Sequence, residues 1–304
     1  MSERLSVSVV ICAYTERRWA DLQRAVESLY AQHTPPDQII VVIDYNHELF
    51  DRARREFSRA DVVENVDTKG LSGARNTGIE HAHGDVIAFL DDDAAAHDDW
   101  LARVVEHYRD DSVTGVGGYI NAMWPSPRPR WLVPEYDWVV GCSYVGLPTT
   151  TKDVRNLIGA NMSFRREVFA KVGGFSDTLG RIGVLPAGCE ETELCIRART
   201  ENPKIRLVYD PSAIVDHYIS VDRLDLSYFL ARCYREGISK AGVAQLSDTN
   251  KALENERTYV WSVLPRAAWR ELRRGAPATA LLVYVGVALA GVGFVRGRLP
   301  RRRR

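Results

Sequence analysis

The feature that most restricts this chain is the alternation, over its first ninety residues, of short apolar runs with stretches of helical periodicity. Val7 to Ile11 is a β-branched run, followed by a polar loop and by Leu22, Ala25, Val26 and Leu29 at helical spacing. The pattern repeats: Ile39 to Ile43 predicts a strand, Leu49 to Phe57 a helix, Val62 to Val63 a short strand, Leu71 to His81 a helix and Val86 to Leu90 a fourth strand. A strand with one wet face alternates apolar and polar residues, whereas a continuously apolar run needs cover on both faces. The repeats therefore predict an α/β, Rossmann-like, mostly parallel sheet with helices on both faces. Ligands bind such sheets beyond the carboxyl ends of the strands, so the loops there are where chemistry is expected.

After Gly117-Gly118 the regularity breaks into a segment from Trp124 to Pro134, too rich in proline for helix or central strand and a candidate substrate lid. Order returns near Gly159. Asn161 to Phe164 reads as extended, Glu190 to Arg199 as helix, Ile205 to Tyr209 and Ala213 to Val215 as strands, and Leu226 to Leu246 as a long amphipathic helix. These boundaries divide the chain into a catalytic domain over 1–220, an amphipathic helical region over 221–265 and a basic tail over 266–304.

The tail is set apart by charge. From Arg266 to Arg304 ten arginines face one glutamate, so within a chain of zero formal charge the tail carries +9 and the remainder −9. Inside it, Ala276 to Val295 is twenty residues without a charge, long enough as a helix to cross roughly 30 Å of hydrocarbon. Three glycines, Pro277 and arginines at both ends leave three readings open: a transmembrane helix, an interfacial helix or a buried soluble one. The terminal Arg301 to Arg304 run suits anionic headgroups; no basic groove motif accompanies it, which argues against nucleic acid as a partner. Five cysteines without a CxxC pair, and no secretory signal at the N-terminus, predict a cytoplasmic catalytic domain.

The strongest chemical signal is Phe89-Leu90-Asp91-Asp92-Asp93, three acids directly after an apolar run. Their mutual repulsion needs a cation or hydrogen bonds to offset it, and Mn2+ or Mg2+ held by a few carboxylates completes its shell with substrate phosphates. A solvated acidic turn capping the next helix is the plain alternative. Two neighbouring strands end in comparable loops. Ala13, Tyr14 and Glu16 follow the first, offering an aromatic to stack on a base and an acid for the far side of a nucleoside, and Asp44 ends the second, placed to accept from a base N–H. Between Asp67 and Gly78, glycines permit close backbone approach, and Arg75 is expected to brace the acids or pair with pyrophosphate.

These segments resemble glycosyltransferase family 2, of GT-A architecture, over roughly residues 5 to 220. The likeness is carried by Val7 to Glu16, Val41 to Asp44, Gly70 to Gly78, Phe89 to Asp93, Gly159 to Phe175 and Gly188 to Arg197. It implies an inverting nucleotide-sugar transferase in which Ala13, Tyr14, Glu16 and Asp44 contact uridine, Asp91 and Asp92 lie near the sugar nucleotide, and Asp93 binds a metal bridging the diphosphate. His217, in Ile214-Val-Asp-His217, fills the place of the family's late metal- or phosphate-contacting histidine. Cys189-Glu190-Glu191-Thr192-Glu193 matches the segment that supplies the base, usually Glu-Asp; the carry-over gives the role to Glu191, one methylene longer, with Glu190 as rival.

On the acceptor side the resemblance points to Asn161, to Glu190 and to the tryptophan-bearing segment with Trp124, while the tail suggests a lipid-linked or cell-envelope glycan at the cytoplasmic face of the cell membrane. Val9-Val-Ile-Cys-Ala-Tyr and Val42-Ile-Asp-Tyr-Asn also resemble archaeal-type transferases that add glucuronate to a lipid-linked glucose. Three other functions fit less well. A sugar nucleotidyltransferase needs a glycine-rich, lysine-bearing loop that is absent after Ile11, and a dinucleotide enzyme needs a GxGxxG after the first strand. A sugar-nucleotide-binding pseudoenzyme or membrane scaffold rests on Glu191 standing where aspartate is usual.

Overall fold

The computed structural model describes residues 4–177, 189–246 and 254–299; Gly188 and the Arg301 to Arg304 run lie outside the described residues. The chain divides into two compact units, one formed by 1–121, 148–185 and 190–218, the other by 122–147, 186–189 and 219–304.

The first unit is a sheet with its helices. In chain order its elements are β1 (Val7–Ala13), α1 (Trp19–Tyr30), β2 (Gln38–Ile43), α2 (His47–Glu56), β3 (Asp61–Glu64), α3 (Leu71–His81), β4 (Val86–Asp91), β5 (Ala94–Ala96), α4 (Trp100–His107) and β6 (Val113–Met123). Then come β7 (Lys152–Asp153), β8 (Asn161–Arg165), α5 (Arg166–Val172), α6 (Glu190–Glu201) and β9 (Arg206–Tyr218). Among the described residues the strands form one sheet in the order β3-β2-β1-β4-β8-β6-β9-β5, with β7 paired to β9. The first four are parallel, as the strand and helix repeats predict. Beyond β4 the sense changes, because β8 runs antiparallel to both β4 and β6 and β9 antiparallel to β5 and β7, so the sheet is mixed.

Burial explains the apolar runs. β1, β2 and β4 are covered on both faces, and α1 buries Leu22, Ala25, Val26 and Leu29 on its inner side. Val10, Ile40, Val42 and Phe89 continue into Met162, Phe164, Phe169 and Phe175 to make one core. Local signals set the ends of elements: Asn46 starts α2 by accepting from the Leu49 N–H at 3.1 Å.

Two expectations are corrected. Order does not break at Gly117-Gly118: β6 runs on to Met123. Its glycines hide the strand because they mark tight packing, and a Cβ at Gly118 would lie 1.9 Å from the Ala213 carbonyl oxygen. Likewise, the strands expected at Ile205 to Tyr209 and Ala213 to Val215 are a single strand, β9. It passes through Pro211 where the Asp210 carboxylate accepts from the Ser212 N–H at 2.9 Å and its hydroxyl at 2.7 Å.

The second unit contains a 3-10 stretch (Pro134–Val140), α7 (Leu226–Leu246), a short helical turn (Glu254–Thr258) leading through a π-helical turn (Tyr259–Val263) into α8 (Leu264–Arg273), and α9 (Pro277–Arg298). The segment from Trp124 to Pro134 has no regular structure, as its prolines predict, but it is fastened: Arg128 pairs with both Asp137 oxygens at 2.5 and 3.0 Å and donates to the Leu132 carbonyl at 2.8 Å.

Gly118→Ala is expected to lower stability by about 1–3 kcal/mol through overpacking, read as a drop in the urea midpoint; an unchanged midpoint would mean that β6 and β9 separate easily.

Candidate active site

Register brings the carboxyl ends of three parallel strands level: Ala13 of β1 lies opposite Ile43 of β2, and Cys12 opposite Asp91 of β4. Beyond them opens a cleft of about 520 Å³ of empty volume, lined by Ala13, Tyr14, Asp44, Asp91, Asp92 and Asp93, together with Arg18 and Gly70. Six of the residues expected from the sequence are thus gathered in one place. Glu16 is not: it is exposed, opens the 3-10 turn Glu16–Arg18 and does not line the cleft.

Asp44 is held rather than loose. Its carboxylate accepts from Asn65 Nδ2 at 2.7 Å and from the Gly70 N–H at 3.1 and 3.2 Å, which fixes the loop that enters α3. Gly70 has φ +126°, a conformation open to glycine. The acid cluster is deeper. Asp92 and Asp93 are 5% and 3% exposed, yet one oxygen of Asp92 has no hydrogen-bond partner. Arg18 reaches in from the turn after β1, 2.9 Å from Asp92 Oδ1 and 3.1 Å from Asp93 Oδ2, with Tyr14 beneath its guanidinium at 5.9 Å. Sequence reasoning missed Arg18. The available signal was a pair of arginines directly before the N-terminus of α1, where the peptide dipoles disfavour positive charge unless a partner compensates.

His217 arrives from β9, whose pairing with β5 sets it opposite Ala94, and its Nε2 lies 3.1 Å from Asp93 Oδ1. One donor atom each from Asp91, Asp93 and His217 falls within 4.8 Å of the others. Two carboxylates and an imidazole suit a divalent ion such as Mn2+, and the unpartnered Asp92 oxygen shows that the protein's own donors do not satisfy the cluster. The residues present therefore fit a divalent metal, with Asp91 joining Asp93 and His217 in the set and Asp92 engaged by Arg18.

Arg75 takes the bracing alternative. Its side chain is buried, with Nη1 2.9 Å from Glu190 Oε1 and Nη2 3.3 Å from Asp91 Oδ1 and 3.2 Å from the Gly159 carbonyl. With both terminal nitrogens engaged and no part in lining the cleft, it is not placed as a pyrophosphate ligand. The same bond separates the two candidate bases. Glu190 is buried and committed to Arg75, while Glu191, next along α6, is only half-buried.

Of the acceptor residues, Asn161 is enclosed in the sheet. Asn161 is 1% exposed: it accepts from Trp100 Nε1 at 2.8 Å and donates to the carbonyls of Tyr119 and Ala213 at 3.1 and 2.9 Å, so its amide knits the sheet. Trp124 lies in the second unit, where the Arg128 guanidinium packs over its ring at 4.9 Å.

Known proteins resemble this chain in sequence and in fold. Residues 8–173 match the family model described as Glycosyl transferase family 2. The chain is 33% identical over 304 residues to a glucosyl-dolichyl phosphate glucuronosyltransferase of Haloferax volcanii, covering 97% of each chain. It is 26% identical to the succinoglycan biosynthesis protein ExoM of Rhizobium meliloti, over 78% of this chain and 74% of that one. Among solved structures, the mannosyltransferase PcManGT of Pyrobaculum calidifontis, in complex with GDP-Man and Mn2+, superposes with a TM-score of 0.63 at 17% identity, covering 97% of this chain and 88% of its own. GalNAc-T7 with UDP, GalNAc and Mn2+ superposes with 0.56 at 18%, over 85% and 55%. At those identities the structural likeness establishes the GT-A fold.

Burial, opposed by Arg18 and reinforced by Asp93 and Asp91, raises the Asp92 pKa from 3.8 to about 7. Below pH 4 the folded and unfolded chains both carry this proton; between pH 4 and 7 the folded chain alone keeps it, so stability falls as pH rises. Without divalent ions, the melting temperature is expected to fall from pH 5 to 7.5 more steeply in the wild type than in Asp92→Asn, and parallel profiles would refute the assignment.

Proposed function

The chain belongs to glycosyl transferase family 2, and on that premise we propose that this glycosyltransferase is metal-dependent and inverting, moving a sugar from a UDP-sugar to a hydroxyl of a lipid-linked glycan at the cytoplasmic face of a membrane. The observation that carries the reading is the convergence of Asp91, Asp93 and His217, the two acids lining a cleft that also holds Tyr14 and Asp44. In that cleft Tyr14 and Ala13 form the surface for the uracil, and Asp44 accepts from its N–H. The Haloferax volcanii relative is named for transfer of glucuronate to glucosyl-dolichyl phosphate. Its similarity along the whole chain supports glucuronate as the sugar and a polyprenyl phosphate glycan as the acceptor.

Asp91, Asp93 and His217 would hold the ion, whose chemistry is to neutralise charge on the departing diphosphate. Arg18 pairs with Asp92 and Asp93, and its planar guanidinium suits phosphate oxygens at the same place. Glu191 is the general base. It lies near enough for its charge to act on Arg75, while Glu190 is tied up by that arginine. As the acceptor oxygen forms its bond to the anomeric carbon, the hydroxyl proton passes to Glu191 and the bond to the diphosphate breaks, releasing UDP. One displacement inverts the anomeric centre. Membrane residence is supported by α9, 22 residues long, whose most apolar 18-residue window has a mean hydropathy of 2.2.

UDP release is measured with Mn2+ or Mg2+ across a panel of UDP-sugars. Release confined to one donor, UDP-glucuronate on the present reading, is expected, and Asp93→Ala is expected to lower it at least a hundredfold while the protein stays folded. An undiminished rate would defeat the metal assignment. Glu191→Gln is expected to lose transfer to a similar degree with donor affinity within about threefold of wild type; normal transfer would move the base elsewhere. Silence across the panel without UDP binding would sink the nucleotide reading.

A further inference from the structure

We infer that α9 lies in the plane of the membrane interface rather than crossing it, resting its solvent-facing side on anionic lipid. Membrane residence is carried over from the reading above, and the orientation rests on the second unit alone.

α9 is apolar all round, yet its two faces differ. One face is sealed against α7 through glycines: a Cβ on Gly293 would lie 1.9 Å from the Tyr234 carbonyl oxygen, one on Gly237 would lie 1.9 Å from that of Ala290, and one on Gly297 would meet Ala241 at 2.7 Å. Backbones that approach this closely are fixed to one another. The contacts run in one direction, Gly286 beside Phe229, Gly293 beside Tyr234 and Gly297 beside Ala241, so the two helices lie parallel over these turns. The other face has no partner among the described residues. Leu281, Tyr284, Ala288, Val292 and Val295 form an exposed stripe at helical spacing, with Leu281 at 65% and Val295 at 63%.

A crossing α9 carries α7 with it. The stretch of α7 beside the second half of α9 holds Arg232, Arg235, Glu236 and Lys240; Arg232 and Lys240 flank Glu236 at 2.7 and 3.6 Å, and Lys240 also meets Glu256 at 2.8 Å. Perpendicular to the bilayer, Arg232, Arg235 and Glu236 would sit at hydrocarbon depth, where ionised side chains are costly. Parallel to it, α7 lies on the aqueous side of α9 and keeps its charges near water, while the stripe alone enters the acyl region.

The ends of α9 fit the same orientation. Arg273 and Arg274 precede it and Arg296 and Arg298 end it, all exposed. A spanning helix puts one of these pairs on each side of the membrane; an in-plane helix lets both reach one layer of anionic headgroups. Trp269 in α8, 56% exposed beneath the Arg273 guanidinium at 5.0 Å, and Tyr284 are aromatic anchors of the interfacial kind. The occupant of the stripe is therefore a lipid surface, matched by apolar contact along the helix and by cations at its ends.

The test uses the full chain in cells. The native cysteines are buried apart from half-buried Cys12, so Ala278→Cys, Ala288→Cys and Leu299→Cys report on the start of α9, the middle of the stripe and the residue just after α9. With a membrane-impermeant maleimide, inverted membrane vesicles are expected to label positions 278 and 299 together, position 288 is expected to label only after detergent, and spheroplasts are expected to label none. One end labelled from each side would overturn the in-plane geometry while leaving membrane residence intact. Recovery of the protein in the soluble fraction, whether as monomer or as a dimer covering the stripe, would overturn both. As a second readout, L281E/V292E is expected to weaken binding of the purified protein to phosphatidylglycerol vesicles at least tenfold, with donor hydrolysis unchanged; unaltered vesicle binding would count against the stripe.

Discussion

The buried guanidinium of Arg75 is the contact on which the active-site geometry depends. It joins the end of β4 at Asp91, the backbone at Gly159 and the start of α6 at Glu190, the last of these 115 residues away in sequence. Strand order alone does not bring a helix so late in the chain to the acid cluster. A buried charge left without its partner costs about 3–5 kcal/mol, so Arg75 and Glu190 each hold the other in place, and Asp91 is drawn into the same arrangement. Chemistry at the cluster therefore starts from a frame that is already charge-compensated on one side.

Arg18 compensates the other side. Three successive aspartates at the end of a buried strand repel one another, and Arg18 answers Asp92 and Asp93 from a turn that follows a different strand. The two arginines differ in exposure and in role, since Arg75 is enclosed and permanently paired, whereas Arg18 lines the open cleft. The cleft is thus bounded by acids, one arginine and an aromatic, a surface suited to a diphosphate joined to a base.

Much of this was legible in the residues. The limits of α3 and α7 coincide with those expected, and the strands bearing Asp44 and the three aspartates end where the apolar runs end. Periodicity and caps are local properties and can be read locally. What escaped was non-local: β6 was hidden because its glycines answer to Ala213 and Leu207 on another strand, and Arg18 was overlooked because its partners lie more than seventy residues away. Asn161 was misjudged for a related reason. Resemblance put it on the acceptor side, and the carbonyls of Tyr119 and Ala213 that its amide satisfies lie on other strands. His217 was found through resemblance, and its placement opposite Ala94 came from strand pairing that no short motif contains.

The start of α6 has a further consequence. Glu190 and Glu191 are chemically identical neighbours, but a helix turns about 100° per residue, so two adjacent side chains cannot share one direction. With Glu190 aimed at Arg75, rotation alone swings Glu191 toward a different quarter of its surroundings. A difference of surroundings between like groups is thereby created by angle, without any difference in side-chain type. Moving Arg75 to the opposite side of that helix would exchange the two roles and leave the motif, read as letters, unchanged.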